Sequence, residues 1–345
     1  MKGRQILLDH IGGVEAAALL VDGRLEDLLL DAPGDLPRPG AIFRAICDRP
    51  LKGQGGMMVR LPDGTGFLRQ GKGLAPGQPV LVQVTGFADP GKAVPVTPKV
   101  LFKSRHAIVT PGAPGWNVSR QIRDEEERVR LKTLAEAEAD PEFGLILRSA
   151  AAGAEEDEIA EDIVAMTSLA RAVQDDAEGT TPEALTEGDG PHAFAWRDWT
   201  GPAAVSTEPG GFADQGVVEE IAALFDPVEP LGAGSMSVEP TRALVAVDVD
   251  TGGDTSPAAG LKANLAAARA LPRALRLRGL GGQVAVDMAP MPKGQRRQVE
   301  AALRAALKAD PVETALAGWT PLSHLELQRK RERLPLTRSL PKGLP

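Results

Sequence analysis

Leu244-Val245-Ala246-Val247-Asp248-Val249-Asp250 runs into the glycine turn Thr251-Gly252-Gly253-Asp254, and further along Gln283-Val284-Ala285-Val286 runs into Asp287. Short β-branched runs bounded by glycine read as buried strands. Each of these ends in a carboxylate where another apolar side chain would continue the pattern. Between them, Leu261 to Leu280 is rich in Ala, Leu and Arg, with Leu265, Leu271, Leu275 and Leu277 among its apolar positions. Strand, helix, strand at this length is the size of a crossover unit, which brings the two strand ends together on one edge of a sheet. Asp248 and Asp287 then converge.

Two or three carboxylates at adjacent strand ends make a hard oxygen site for Mg²⁺ or Mn²⁺, ions that keep several waters and commonly also bind phosphate. The chemistry that follows is phosphodiester hydrolysis, with the ion polarising the phosphoryl oxygen and activating water. A lone Asp in such a place more often caps a helix or ends a solvated strand. The pattern here is longer: Asp248-Val249-Asp250-Thr251-Gly252-Gly253-Asp254, Asn264-Leu265, Leu275-Arg276-Leu277-Arg278-Gly279-Leu280-Gly281-Gly282, Asp287-Met288, Gln295-Arg296-Arg297 and Val299-Glu300.

In that order and spacing the chain resembles the ribonuclease E/G family, the bacterial single-strand endoribonucleases. The likeness covers most of the chain and is densest from 236 to 331. It implies Asp248 and Asp287 as metal ligands and Asp250 as a third catalytic carboxylate, standing where the family usually carries Asn. It also implies a multidomain α+β and α/β architecture. An RNase H-like fold is split between 1–40 and 173–230; an OB-type RNA-binding barrel occupies 41–103 and a 5′-sensor region 104–172. A DNase I-like catalytic domain follows at 231–334, with a disordered tail at 335–345.

The residues themselves fit that layout. The runs flanking Gly12-Gly13 and Asp22-Gly23 read as a β-meander, with Asp9 and Asp22 serving turns. Ile42 to Ile46, Met57 to Leu61, Gly66 to Leu68, Pro79 to Val84 and Val94 to Val100 suggest a small barrel. In it, Phe67 is the candidate stacking platform and Lys92 the candidate phosphate contact; Met57 or Met58 stands where a second aromatic would be. Trp116 to Ile122, which contains Arg120, precedes a charged helix and the strand Gly144 to Ser149. Arg148 and Ser149 match the family's 5′-phosphate sensor, a planar guanidinium fork beside a hydroxyl. Glu155 to Val173 reads as an acidic amphipathic helix and Asp175 to Gly190 as an irregular connection; a further helix is expected from Gln215 to Leu224. Lys293 to Lys308 reads as a helix whose Arg296, Arg297 and Arg304 could wall an RNA groove. The stretch Leu325 to Arg331 is similar to the family's final helix, with Arg329, Lys330, Arg331 and Arg333 solvated. His10, His106, His192 and His324 lack ligand-like spacing and are read as non-catalytic.

A chain of 345 residues, 43% hydrophobic, can bury a sizeable core. Its net charge of −8 disfavours a nucleic-acid partner at first sight. The acids, however, concentrate in 125–127, 155–162 and 175–187, whereas 269–278 and 293–304 are basic, and a local groove survives an acidic total. With Cys47 as the sole cysteine, no disulfide framework or Cys-based zinc site forms within one chain, and no zinc is expected. The family's zinc-linking cysteine pair is absent, so the expectation is a homodimer held by apolar contact between catalytic domains. No membrane span or signal segment is evident, and the default location is cytoplasmic. The expected partner is single-stranded RNA. Two rivals stand beside hydrolysis of RNA. One is an RNA-binding relative that has lost turnover, opposed by the cost of keeping a buried carboxylate pair without a cation. The other is a metal phosphoesterase acting on a small molecule.

Overall fold

The computed structural model describes residues 3–34, 36–51, 53, 55–69 and 71–340. The chain forms two units: Met1–Asp35 with Ala203–Pro345, and Leu36–Pro202.

The first unit opens as the expected meander, β1 (Arg4–Ile11), β2 (Val14–Val21) and β3 (Arg24–Leu30). Asp22 and Gly23 take φ of 51° and 79°, the left-handed pair that a tight hairpin turn requires. Asp22 also accepts from the Gly3 amide, so its role is turn chemistry.

The second unit begins with β4 (Ile42–Leu51), β5 (Gly56–Leu61), β6 (Gly64–Leu68), β7 (Pro79–Val84) and β8 (Val94–Thr97). They pair in the order β4-β5-β6-β8-β7, and β7 returns to β4, closing a five-stranded barrel. Closure removes the sheet edges, and Cys47, Met57, Val59, Leu68 and Val82 fill the interior. The rest of this unit is β9 (Phe102–Lys103), β10 (Ala107–Pro111), β11 (Gly115–Val118), α1 (Glu125–Glu138), β12 (Phe143–Leu147), α2 (Glu156–Asp175), β13 (Glu183–Thr186) and α3 (Pro191–Asp198). Leu131 and Leu134 of α1 and Ile159 and Ile163 of α2 share a core with Val109, Leu145 and Leu147. The connection after α2 is less irregular than expected. Its middle forms β13, which pairs antiparallel with β4 and so satisfies backbone groups that a loose loop would leave to water.

The chain then re-enters the first unit through β14 (Ala204–Ser206), α4 (Gly211–Asp214) and α5 (Val217–Ala223). β14 lies parallel to β1, with Gln5 opposite Ala204, completing a four-stranded sheet. The helix expected from Gln215 starts at Val217, because Gly216 at φ 72° breaks it from α4. Next come β15 (Val228–Pro230), β16 (Ser235–Pro240), β17 (Val245–Asp250), α6 (Ala259–Leu277), β18 (Gly282–Asp287), α7 (Arg296–Ala309), β19 (Thr314–Trp319), β20 (Leu325–Arg329) and α8 (Leu336–Ser339). The sheet order is β15-β16-β17-β18-β20-β19. Ala263, Ala267, Leu271 and Leu275 of α6 pack with Val299 and Leu303 of α7 onto Val247 and Val286. Alanines along α6 let it approach the sheet closely.

Two expectations fail near the C-terminus. Leu325 to Arg329 is a strand, because Leu325, Leu327 and Arg329 are buried while Glu326 and Gln328 are exposed, a period of two. Arg329 is therefore inside, only 1% exposed, where it meets Asp310, and Arg333 pairs with Asp27; neither is solvated. The expected disordered tail begins instead with α8, anchored by buried Leu336 and Leu340. Residues 341–345 lie outside the described residues.

Candidate active site: paired carboxylates at two parallel strand ends

β17 and β18 run parallel with Val245 opposite Val284, Val247 opposite Val286 and Asp248 opposite Asp287. Alternation buries Val245, Val247 and Val249 and turns Asp248 and Asp250 to the other face; on β18 it buries Val284 and Val286 and turns Asp287 the same way. Residues opposite each other on adjacent strands sit about 5 Å apart, so the crossover brings Asp248 and Asp287 side by side. Among the described residues, no lysine or arginine forms an ion pair with either. Both are exposed. Neither acid therefore carries the desolvation cost that would oppose keeping the pair without a cation.

Asp250 shares their face but is engaged differently. Its Oδ1 accepts from the Gly252 amide at 2.5 Å, closing the turn that follows β17. Gly234 packs on that turn at φ 85°; a Cβ there would lie 1.9 Å from the Asp250 carbonyl oxygen. Among the described residues, no group of three or more His, Cys, Asp and Glu gathers to hold an ion. Two carboxylates remain, the protein share typical of a Mg²⁺ site completed by water and phosphate. The donor set fits that ion.

The loop after Asp287 is fixed by a residue whose role the sequence did not disclose. Asn264, fully buried on α6, donates from Nδ2 to the Ala289 carbonyl at 2.9 Å and accepts from the Ala289 amide at 2.9 Å. A buried amide satisfied on both sides is a rigid clasp. Its signals in the sequence are its place in the longer pattern, as Asn264-Leu265, and in an otherwise apolar helix face. His324, just before β20, places Nε2 3.9 Å from Asp287 Oδ2.

The other expected sites lie in the second unit. Phe67 is half-buried and stands directly opposite Met58. Its ring packs on Gly56, where a Cβ would come within 2.4 Å of it. Lys92 is exposed and pairs with Asp89 at 2.8 Å. Arg120 is exposed in the turn after β11. Arg148 is held within the protein: it donates to the Ser104 carbonyl at 2.5 Å and the Arg197 carbonyl at 3.3 Å, and pairs with Asp198. Asp198 is shared with Arg197 at 2.6 Å. Ser149 beside it is exposed. His106 sits against Asp162 at 2.9 Å, a structural partnership.

The chain matches the Ribonuclease E/G family over residues 102–204 and 202–332. It is 30% identical over 300 residues to ribonuclease E of Nostoc sp. (strain PCC 7120), covering 75% of this chain and 44% of that protein. It is 29% identical to ribonuclease G of Salmonella typhimurium, covering 74% of this chain and 60% of that protein, and 29% identical to ribonuclease G of Escherichia coli K12 with the same coverage. The chain thus spans 44% to 60% of the length of these curated relatives.

Proposed function

The chain belongs to the Ribonuclease E/G family, and from that membership we propose that it is a metal-dependent endoribonuclease that hydrolyses phosphodiester bonds of single-stranded RNA in RNA processing or decay. The observation that carries this reading is the register that sets Asp248 beside Asp287 on parallel strands. Asp248 and Asp287 would hold Mg²⁺ or Mn²⁺, which when bound supplies a Lewis acid and an activated water. The chain's own part is geometric. Asn264 holds the backbone after Asp287 in place, and Asp250, through its turn, fixes the end of β17.

The finer parts of the reading rest on the family likeness. The meander with β14 is taken as the RNase H-like part and the β15–β20 sheet with α6 and α7 as the DNase I-like part. The closed barrel is taken as an RNA-binding module with Phe67 and Lys92 as contacts. Arg148 and Ser149 are taken as the 5′-monophosphate sensor, a phosphate replacing Asp198 on the Arg148 fork, and Arg120 as a further RNA contact. No helix among the described residues is long and apolar enough to cross a membrane; a cytoplasmic setting is part of the proposal. The homodimer is proposed through the catalytic domains, where exposed Leu322 offers apolar surface.

A second reading, RNA binding without turnover, is favoured by Asp250, whose Oδ1 is spent on its own turn. One assay separates the two. A single-stranded oligoribonucleotide should be bound with or without Mg²⁺ and cut only with it. Binding without cutting in Mg²⁺ and in Mn²⁺ would establish the second reading instead.

A further inference from the structure

Arg296 opens α7, just past the loop that leaves Asp287. Its guanidinium lies 4.4 Å over the Trp319 ring, and its Nη2 donates to Ser323 Oγ at 2.7 Å. Trp319 is itself fixed, donating from Nε1 to Glu300 at 2.7 Å one helical turn beyond Arg296. Ser323 stands in the turn between β19 and β20 at φ 73°, one of two described non-glycine residues in the left-handed region. The next residue is His324, which faces Asp287.

This arrangement is costly to keep for stability alone. A serine at positive φ holds a strained backbone conformation, and glycine would relieve it. What serine adds is the Oγ that orients Arg296. Among the described residues, no carboxylate pairs with Arg296. A guanidinium carries five N–H donors, and this one is stacked on Trp319 and aimed by Ser323, one residue before the His324 that faces Asp287. Stacking on an aromatic face fixes the plane of the fork without neutralising it.

We infer that Arg296 is a phosphate-positioning residue, seating the RNA phosphate next to the scissile one, with Ser323 and Trp319 holding it ready. The inference rests on the reading of Asp248 and Asp287 as the hydrolytic site and adds the element that registers the strand against it. The contact is to backbone and carries no base preference.

The test uses the full chain and a 5′-hydroxyl single-stranded oligoribonucleotide, with steady-state cleavage in Mg²⁺ and equilibrium binding in EDTA over a salt series. Arg296→Ala should raise KM roughly tenfold, the size of one lost charge-assisted contact, and leave kcat within about twofold. The slope of log affinity against log salt should fall by about one. Arg296→Lys should recover the salt slope but only part of KM, and Ser323→Gly, which keeps the charge and loses its orientation, should fall between. Unchanged KM and salt slope in Arg296→Ala would overturn the inference, as would a matching fall in thermal stability and kcat. A wild-type chain that binds and never cuts would sink the hydrolytic reading, while the EDTA binding series would still decide Arg296.

Discussion

A phosphate arriving at Arg148 meets a carboxylate already in place. Asp198 lies between Arg148 and Arg197, and the Arg148 side chain is only 19% exposed, so any 5′-phosphate must compete with a tethered anion. Replacing Arg148 with Ala should slow cleavage of 5′-monophosphorylated RNA toward the 5′-hydroxyl rate, and Asp198→Asn should widen the preference for the monophosphate. Equal losses on both substrates would assign Arg148 to holding Ser104 and α3 together. What the sequence discloses at this scale depends on whether a residue breaks a local pattern. Asp248 and Asp287 stand out because they interrupt apolar runs. Arg148 stands out only through resemblance, and its partner Asp198 not at all, because the pairing joins residues with no local signal between them. Asn264 and Arg296 were visible as letters in a longer pattern, but their roles depend on the Ala289 backbone and on Ser323.

The stretch Leu275 to Gly282, the most distinctive part of the sequence pattern, proves to be structural. Arg276 at the end of α6 is 6% exposed and pairs with Asp310 at 2.5 Å, Glu26 at 2.6 Å and Asp27 at 3.3 Å. Arg278 pairs with Glu229 at 3.1 Å, and Arg329 from β20 reaches the other oxygen of Asp310 at 3.1 Å. Burial pushes the Asp27 carboxyl up, but the Arg333 and Arg276 guanidinium groups and the Leu28 amide together outweigh that and the net direction is down. The glycines leave room for backbone: a Cβ on Gly279 would lie 1.9 Å from the Leu334 carbonyl oxygen, and one on Gly281 2.4 Å from that of Lys330. Thus the end of α6, strands β3, β15 and β20, the residue after α7 and the C-terminal segment are tied together by ion pairs. Asp310→Asn keeps the volume but leaves two buried guanidinium groups short of a charge. Breaking such a pair costs about 3 kcal/mol or more, so its urea midpoint should fall well below that of the wild type while RNA affinity at low denaturant holds. A midpoint shift worth less than about 0.5 kcal/mol would show that water already compensates these charges. β20 departs from the helix that the resemblance implies, and an arginine at an inward position disguises its alternation in the sequence.

Across the whole molecule, local features were legible and distant pairings were not. The meander and the five barrel strands follow from short apolar runs and glycine turns, and their hairpin pairings are between neighbours in sequence. The βαβ crossover was legible because its helix and both strands are contiguous. The parallel pairing of β1 with β14 joins Gln5 to Ala204 across the entire second unit, and β20 enters between β18 and β19; neither leaves a trace in local periodicity. Asp248 against Asp287 is the one long-range convergence that the local pattern discloses. It is tested most directly by titrating Mn²⁺ into the wild type, Asp248→Asn and Asp287→Asn by calorimetry, alongside cleavage of a single-stranded oligoribonucleotide. Each substitution removes a ligand charge without changing volume, so the account predicts one site in the wild type, binding weakened at least tenfold in either variant, cleavage abolished in both and folding unimpaired. Wild-type Mn²⁺ affinity together with wild-type cleavage in either variant would contradict it.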